Sequence, residues 1–173
     1  MKVGSMNVLE EALKFFDSID IHDLEIGAGG NPGKAHCNPE VLLSDKAAYD
    51  KFVETFKKYN MTINALACHG NPVHPNKDIA AMYHNDFENA VLLAEKLGVK
   101  KIIGFSGCPG DCPDSKYPNW SVIAWPEDFL TILDYQSLFP TGKRKLNSAK
   151  LTASKRSHSK CIPVSVYITP PAS

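Results

Sequence analysis

Between residues 137 and 173 the chain has no acidic residue at all, while seven Lys and Arg fall there. Residues 1–136 carry the complementary imbalance, with 12 Lys and Arg against 19 Asp and Glu, so the zero formal net charge of the whole hides two oppositely charged pieces. No apolar run approaches the roughly 20 residues that a membrane-spanning helix needs. The first residues, Met1-Lys2-Val3-Gly4-Ser5-Met6, lack the apolar core of a secretory signal. Both absences make the cytoplasm the expected location and exclude a membrane partner. Cysteine is sparse and odd in number: five residues, at 37, 68, 108, 112 and 161. Such scatter argues against a disulfide framework and for a reducing compartment. A chain of 173 residues with 43% hydrophobic and 22% charged residues has enough apolar material for one domain with a core.

Strand-like and helix-like segments alternate through the first piece. Residues 2–6 read as a short strand. Asn7 then caps a helix over 8–17, with Leu9, Ala12, Leu13 and Phe16 at helical spacing. Residues 24–26 form a strand that runs into a glycine-rich loop. Ser44 caps a helix through about Tyr59, with Ala48, Phe52, Val53 and Phe56 on one face. Residues 62–68 form the next strand, and Asn85 or Asp86 opens a helix that Gly98 ends. Residues 101–105 are again a strand, and a last helix runs from Trp125 to Tyr135. Four βα repeats point to a parallel sheet. The loops after the second, third and fourth strands are long and polar. In α/β folds that is the end of the sheet where chemistry sits, which suggests the face of a (β/α)8 barrel. A complete barrel takes about 250 residues, so four units amount to half of one. No periodic pattern continues after Gln136.

Three loops hold the candidate chemistry. In Cys68-His69-Gly70-Asn71-Pro72-Val73-His74-Pro75, His69 falls where a strand should end. An imidazole there can polarise a sugar carbonyl, move a proton or bind a metal, or it can simply hydrogen-bond its own loop. The spacing alone does not choose between these. The stretch Gly27-Ala28-Gly29-Gly30-Asn31-Pro32-Gly33-Lys34-Ala35-His36-Cys37 lets backbone N–H groups approach a ligand. Its spacing is not that of a dinucleotide fingerprint, so it reads as a substrate-side loop or a plain flexible turn. Cys108-Pro109-Gly110-Asp111-Cys112 invites a zinc reading, but no second cysteine pair accompanies it. Glu25, at the end of its strand, is either a site carboxylate or a salt-bridged structural one.

In order along the chain, the segments Glu25 to Pro39, Ala67 to Pro75 and Phe105 to Pro113 resemble the sugar-phosphate isomerase/epimerase family. That family belongs to the xylose-isomerase-like TIM barrels, which also include endonuclease-IV-like enzymes. The resemblance covers nearly all of residues 1–136, except that the first βα join, between Met6 and Leu9, is shorter than in relatives. It implies the N-terminal half of a (β/α)8 TIM barrel, about four βα units, followed by an irregular, disordered basic tail. It also implies metal-dependent isomerisation or epimerisation of a sugar or polyol, in which a divalent metal polarises the substrate's oxygens and paired acids move the proton. Position by position, His69 matches the histidine at the third strand end, and His36, Asn71 and His74 match loop positions near the substrate. Glu25 is a second catalytic candidate, and Ser106 a further substrate-binding one. The family's metal carboxylates come from later strands, beginning in a segment like Phe-Glu-Met-His-Pro-Gly-Phe, and no such segment occurs here. The divalent metal of the full-length family is therefore not expected on this chain, and turnover is not expected either.

The tail has its own reading. Shifting the frame by one nucleotide turns codons for Ile-Pro-Tyr-Trp-Lys-Glu, which the family would carry next, into Phe139-Pro140-Thr141-Gly142-Lys143-Arg144. The same shift turns the metal-ligand segment into Ser159-Lys160-Cys161-Ile162-Pro163-Val164. Residues 137–173 are therefore expected to be a frameshifted, non-native tail. The competing reading is a basic arm for nucleic acid or another anionic surface. It ranks second, because no aromatic residues interleave with the charges. A half barrel would leave strand edges and helix faces exposed, so self-association or aggregation is expected.

Overall fold

The computed structural model describes residues 6–119 together with two strands at 150–153 and 163–169. Helix α1 (Met6–Ser18) leads into β1 (Asp23–Gly30). Two helices follow, α2 (Pro39–Ser44) and α3 (Lys46–Lys58), then β2 (Thr62–His69), α4 (Lys77–Leu97) and β3 (Lys101–Phe105). Strands β4 (Lys150–Ala153) and β5 (Pro163–Thr169) complete a five-stranded sheet in the order β1-β2-β3-β5-β4. β1, β2 and β3 run parallel, and β5 runs antiparallel to both β3 and β4. The fold is thus mixed α/β, built on three parallel strands.

Apolar spacing decides which face is covered. Leu9 and Leu13 of α1, Phe52 and Phe56 of α3, and Ala90, Leu93 and Ala94 of α4 recur at helical intervals, and all are buried. They form one core cluster with Ile26, Leu66, Cys68 and Ile102 of the strands. Ile26 pairs with Leu66, and Leu66 with Ile102, so these side chains share the helix-covered face of the sheet. Removing a buried leucine such as Leu93 would cost about 2–5 kcal/mol.

Several sequence expectations change at the element ends. Ser44 closes α2 rather than capping the next helix. The cap is Asp45, whose carboxylate accepts the N–H groups of Ala47 and Ala48. The helix expected to open at Asn85 or Asp86 begins at Lys77, capped by Asn76. Gly98 ends it as expected, in the left-handed conformation (φ 74°) that spares a glycine any Cβ clash. The strand expected to stop at Ile26 continues to Gly30, with register shifts after Leu24 and after Gly27.

The expected irregular tail is corrected at two stretches, since residues 150–153 and 163–169 are strands. Pro163–Thr169 is rich in β-branched and aromatic residues, and strand pairing draws on main-chain groups, to which the basic charge of the tail is indifferent. Apart from Met6, which opens α1, the expected strand at 2–6 lies outside the described residues, as does the expected helix at 125–135. Among the described residues no helix is long and apolar enough to cross a membrane.

Candidate functional site

Parallel pairing brings the ends of β1, β2 and β3 to one edge of the sheet, with their loops at 31–38, 70–76 and 106–119. Gly30 is in register with His69. Gly30 has φ +64°, and a Cβ there would lie 2.3 Å from the His69 carbonyl oxygen. Only glycine lets the two strand ends approach this closely. The Asn31 N–H donates to that same carbonyl at 2.7 Å, so the first loop is tied to the base of His69.

The His69 imidazole is half-buried and packs against Phe105 at the end of β3, with ring centroids 4.7 Å apart and planes inclined at 57°. The tilted geometry is the favourable one for aromatic pairs and fixes the ring's orientation. Asn71, two residues on, is buried. Its side-chain amide donates to the Cys108 carbonyl (2.8 Å) and accepts the Cys108 N–H (3.0 Å). That reproduces the paired bonds of a strand ladder between the second and third loops. Gly107 (φ +89°) makes room for it, since a Cβ there would lie 2.4 Å from Asn71 Oδ1.

A charged network closes the other side of the first loop. Asp86 lies midway along α4 and is 8% exposed. Its carboxylate accepts the Gly30 N–H at 3.0 Å and the Lys34 ammonium at 2.9 Å. Lys34 also donates to Glu40 at 3.3 Å. The bond to Asp86 is the main reason the Lys34 pKa is raised, partly opposed by burial and supported by Glu40. Tyr83, one turn before, packs its ring over Gly70 and donates its hydroxyl to Asn31 Oδ1 at 3.5 Å.

Of the expected site residues, His69, Asn71 and Ser106 come together at this edge. Ser106 is half-buried at the first position after β3. His74 sits in the second loop, where its Nδ1 accepts the Asn76 N–H at 3.0 Å. That bond leaves the proton of a neutral ring on Nε2. His36 is exposed in the first loop, next to buried Cys37. Glu25 is not brought to the cluster. It is exposed, pairs with Ala65 and lies five residues back along β1 from Gly30, about 16 Å at strand rise.

The thiols divide by burial. Cys37 and Cys68 are free and buried, and burial pushes both pKa values up to about 12, with the Asp86 charge adding to the effect at Cys68. Cys112 is free and exposed, whereas Cys108 is disulfide-bonded, which the scattered cysteine spacing did not suggest. Among the described residues no three His, Cys, Asp or Glu side chains gather closely enough to hold a metal ion. The described donors on this edge do not by themselves make a divalent centre. What they offer is an oriented imidazole, an aromatic wall and an ion-paired anchoring of the first loop.

Sequence reasoning missed Asp86, Lys34, Tyr83 and Phe105. Lys34 was visible, just past a run of glycines. The other three gain their roles only through contacts with distant parts of the chain.

No family model matches the chain. It is similar to the uncharacterized protein YfiH of Bacillus subtilis (strain 168), with 36% identity over 129 residues that cover 73% of this chain and 41% of that protein. The chain therefore spans about two fifths of the length of the curated relative it matches.

Proposed function

We propose that this chain carries the substrate-side portion of a sugar or polyol isomerase or epimerase of the xylose-isomerase-like barrel type, and that by itself it has no turnover. The observation that carries the reading is the gathering of His69, Asn71 and Ser106 at the C-terminal ends of two neighbouring parallel strands, β2 and β3, in the loop order of that family. His69 supplies the group that faces a substrate oxygen, and Phe105 holds its ring. Asn71 shapes the rim instead of reaching into the site, because both of its polar groups are committed to Cys108. The proposed barrel would continue beyond three parallel strands, and YfiH has the length for such a continuation. In the family, the carboxylates that hold a divalent metal lie on later strands. Residues 137–173 are proposed to be a frame-shifted reading of that region, which sequencing the gene around codon 136 tests directly.

The functional test has two arms. NMR of imidazole-labelled protein titrated with aldoses, ketoses and cyclic polyols should shift the His69 signals and leave in place those of His22, which precedes β1 at the opposite end of the sheet. Isomerase and epimerase assays with manganese, magnesium or cobalt should give no product. Metal-dependent turnover would overturn the inactive reading. Silence of His69 toward every sugar and polyol would overturn the substrate class.

A further inference from the structure

β3 is a short run of strand-favouring apolar sequence, Lys101-Ile102-Ile103-Gly104-Phe105, with its one charge at the start. It pairs with β2 in an unbroken register, Leu66 to Ile102, Ala67 to Ile103 and Cys68 to Gly104. A regular strand of this composition with its far side unpaired would offer a row of main-chain N–H and C=O groups to any second strand. The opposite end of the sheet differs. There β1 carries two register shifts, the kind of irregularity that twists an edge out of line with an incoming strand.

Residues of the basic tail take the far side of β3. Pairing runs from Lys101 with Tyr167 to Phe105 with Pro163, so every residue of β3 has a partner on β5. The arriving strand is antiparallel, and an antiparallel partner needs no crossover helix to reach its place. Pro163 has no N–H to give, and it stands at the first position of β5, where a strand tolerates it. β5 is itself covered. Val166 pairs with Ile102 on one side and Ala153 on the other, and Tyr167 with Lys101 and Thr152. The edge thus passes from β3 to β4, which is four residues long and begins with Lys150. Short length and a lysine are two of the means by which sheet edges are kept from pairing with other chains.

We infer that the outer side of β3 is a strand-acceptor surface and that residues 163–169 of this same chain are its occupant, with β4 behind them as a cap that keeps the edge from joining a second copy. This reverses, for the β3 edge, the self-association expected of an open sheet. The inference rests neither on the sugar reading nor on the frame in which the codons of the tail are read, because pairing uses main-chain groups that every residue but proline supplies in full.

Hydrogen exchange of the full chain, followed by NMR, tests it. The amides of residues 101–105 alternate between the β2 side and the β5 side, and both sets should exchange at least about a hundredfold slower than in an unstructured chain. Ser165→Pro and Val166→Pro, made separately, fall at adjacent positions, so one of them removes an N–H directed at β3. The stronger of the two should speed exchange on the β5 side at least about tenfold, while the β2-side amides and those of α4 keep their protection. In sedimentation velocity at high micromolar concentration, that variant should form larger species where wild type does not. Wild-type β5-side amides that exchange as freely as an unstructured chain overturn the inference. So does protection untouched by both substitutions, or a variant that opens those amides and stays as monomeric as wild type.

Discussion

Replacing Asp86 by Asn tests the anchoring of the first loop with almost no change of shape. The amide still accepts the Gly30 N–H, now 3.0 Å from a carboxylate oxygen, but its NH2 group must meet the Lys34 ammonium, which sits 2.9 Å from the other oxygen. Breaking a fully buried ion pair costs about 3–5 kcal/mol. Here the Lys34 side chain is 29% exposed and keeps its contact with Glu40. The cost should therefore fall nearer the ~1.5–3 kcal/mol of a lost charge-assisted hydrogen bond. With a urea slope of about 2 kcal/mol per molar, that moves the unfolding midpoint down by roughly 1 M. Asp86→Ala should be worse by about 1–2 kcal/mol, since the Gly30 N–H then loses its acceptor as well. In a double-mutant cycle with Lys34→Met, the coupling should be about 1–2 kcal/mol. The pH dependence has a definite sign. Lys34 has its pKa raised above 10.5 in the folded state. Its stabilisation is complete below 10.5 and fades as pH rises through the higher folded value, so wild type and Asp86→Asn should converge only in strong alkali. An Asp86→Asn protein within about 0.5 kcal/mol of wild type near neutral pH, or a coupling near zero, would refute the reasoning.

Three further outcomes are expected. Asn71→Ala should destabilise by about 2–4 kcal/mol, because it removes two hydrogen bonds to the backbone of buried Cys108; urea unfolding reads this, and a loss under about 0.5 kcal/mol would mean the clasp contributes little. A thiol reagent at mildly alkaline pH should label exposed Cys112 promptly and reach Cys37 and Cys68 only on unfolding, since burial both covers these two and holds their pKa values near 12; peptide mapping distinguishes the sites, and prompt labelling of Cys37 would show that the first loop opens. NMR titration should find the Glu10 carboxyl below 4.5, chiefly because of the hydrogen bond from Lys58, and returned toward 4.5 in Lys58→Met. The associated stability is present above 4.5 and is lost as pH falls through the folded value.

The positions of β1, β2 and β3 were legible in the sequence because short apolar runs ended at glycine, proline and histidine clusters. The apolar faces of α1 and α3 were legible from their spacing. Helix starts were less so. Asp86 is of a type favoured at helix N-termini, and nothing local distinguishes a capping aspartate from one buried in mid-helix. Its partners, Gly30 and Lys34, lie 56 and 52 residues away. Asn71 and His69 were equally visible as polar residues after a strand, yet their situations differ. One has both polar groups spent on another loop's backbone, and the other presents a ring braced by Phe105. That difference depends on where β3 falls beside β2, which no pattern within either strand encodes. Glu25 was read as a strand-terminal carboxylate because the glycines after Ile26 looked like loop. The strand absorbs them through two register shifts and carries the loop end away from the carboxylate.

Because Asn71 meets Cys108 as one strand meets another, the second and third loops are joined past the point where the sheet itself stops. Each residue whose backbone is already fixed spares an incoming ligand about 1–2 kcal/mol of lost chain freedom. A rim tied in this way favours the entropy of binding over breadth of accepted shapes. It also makes the two loops one mechanical unit, in which a length change in either would displace the other.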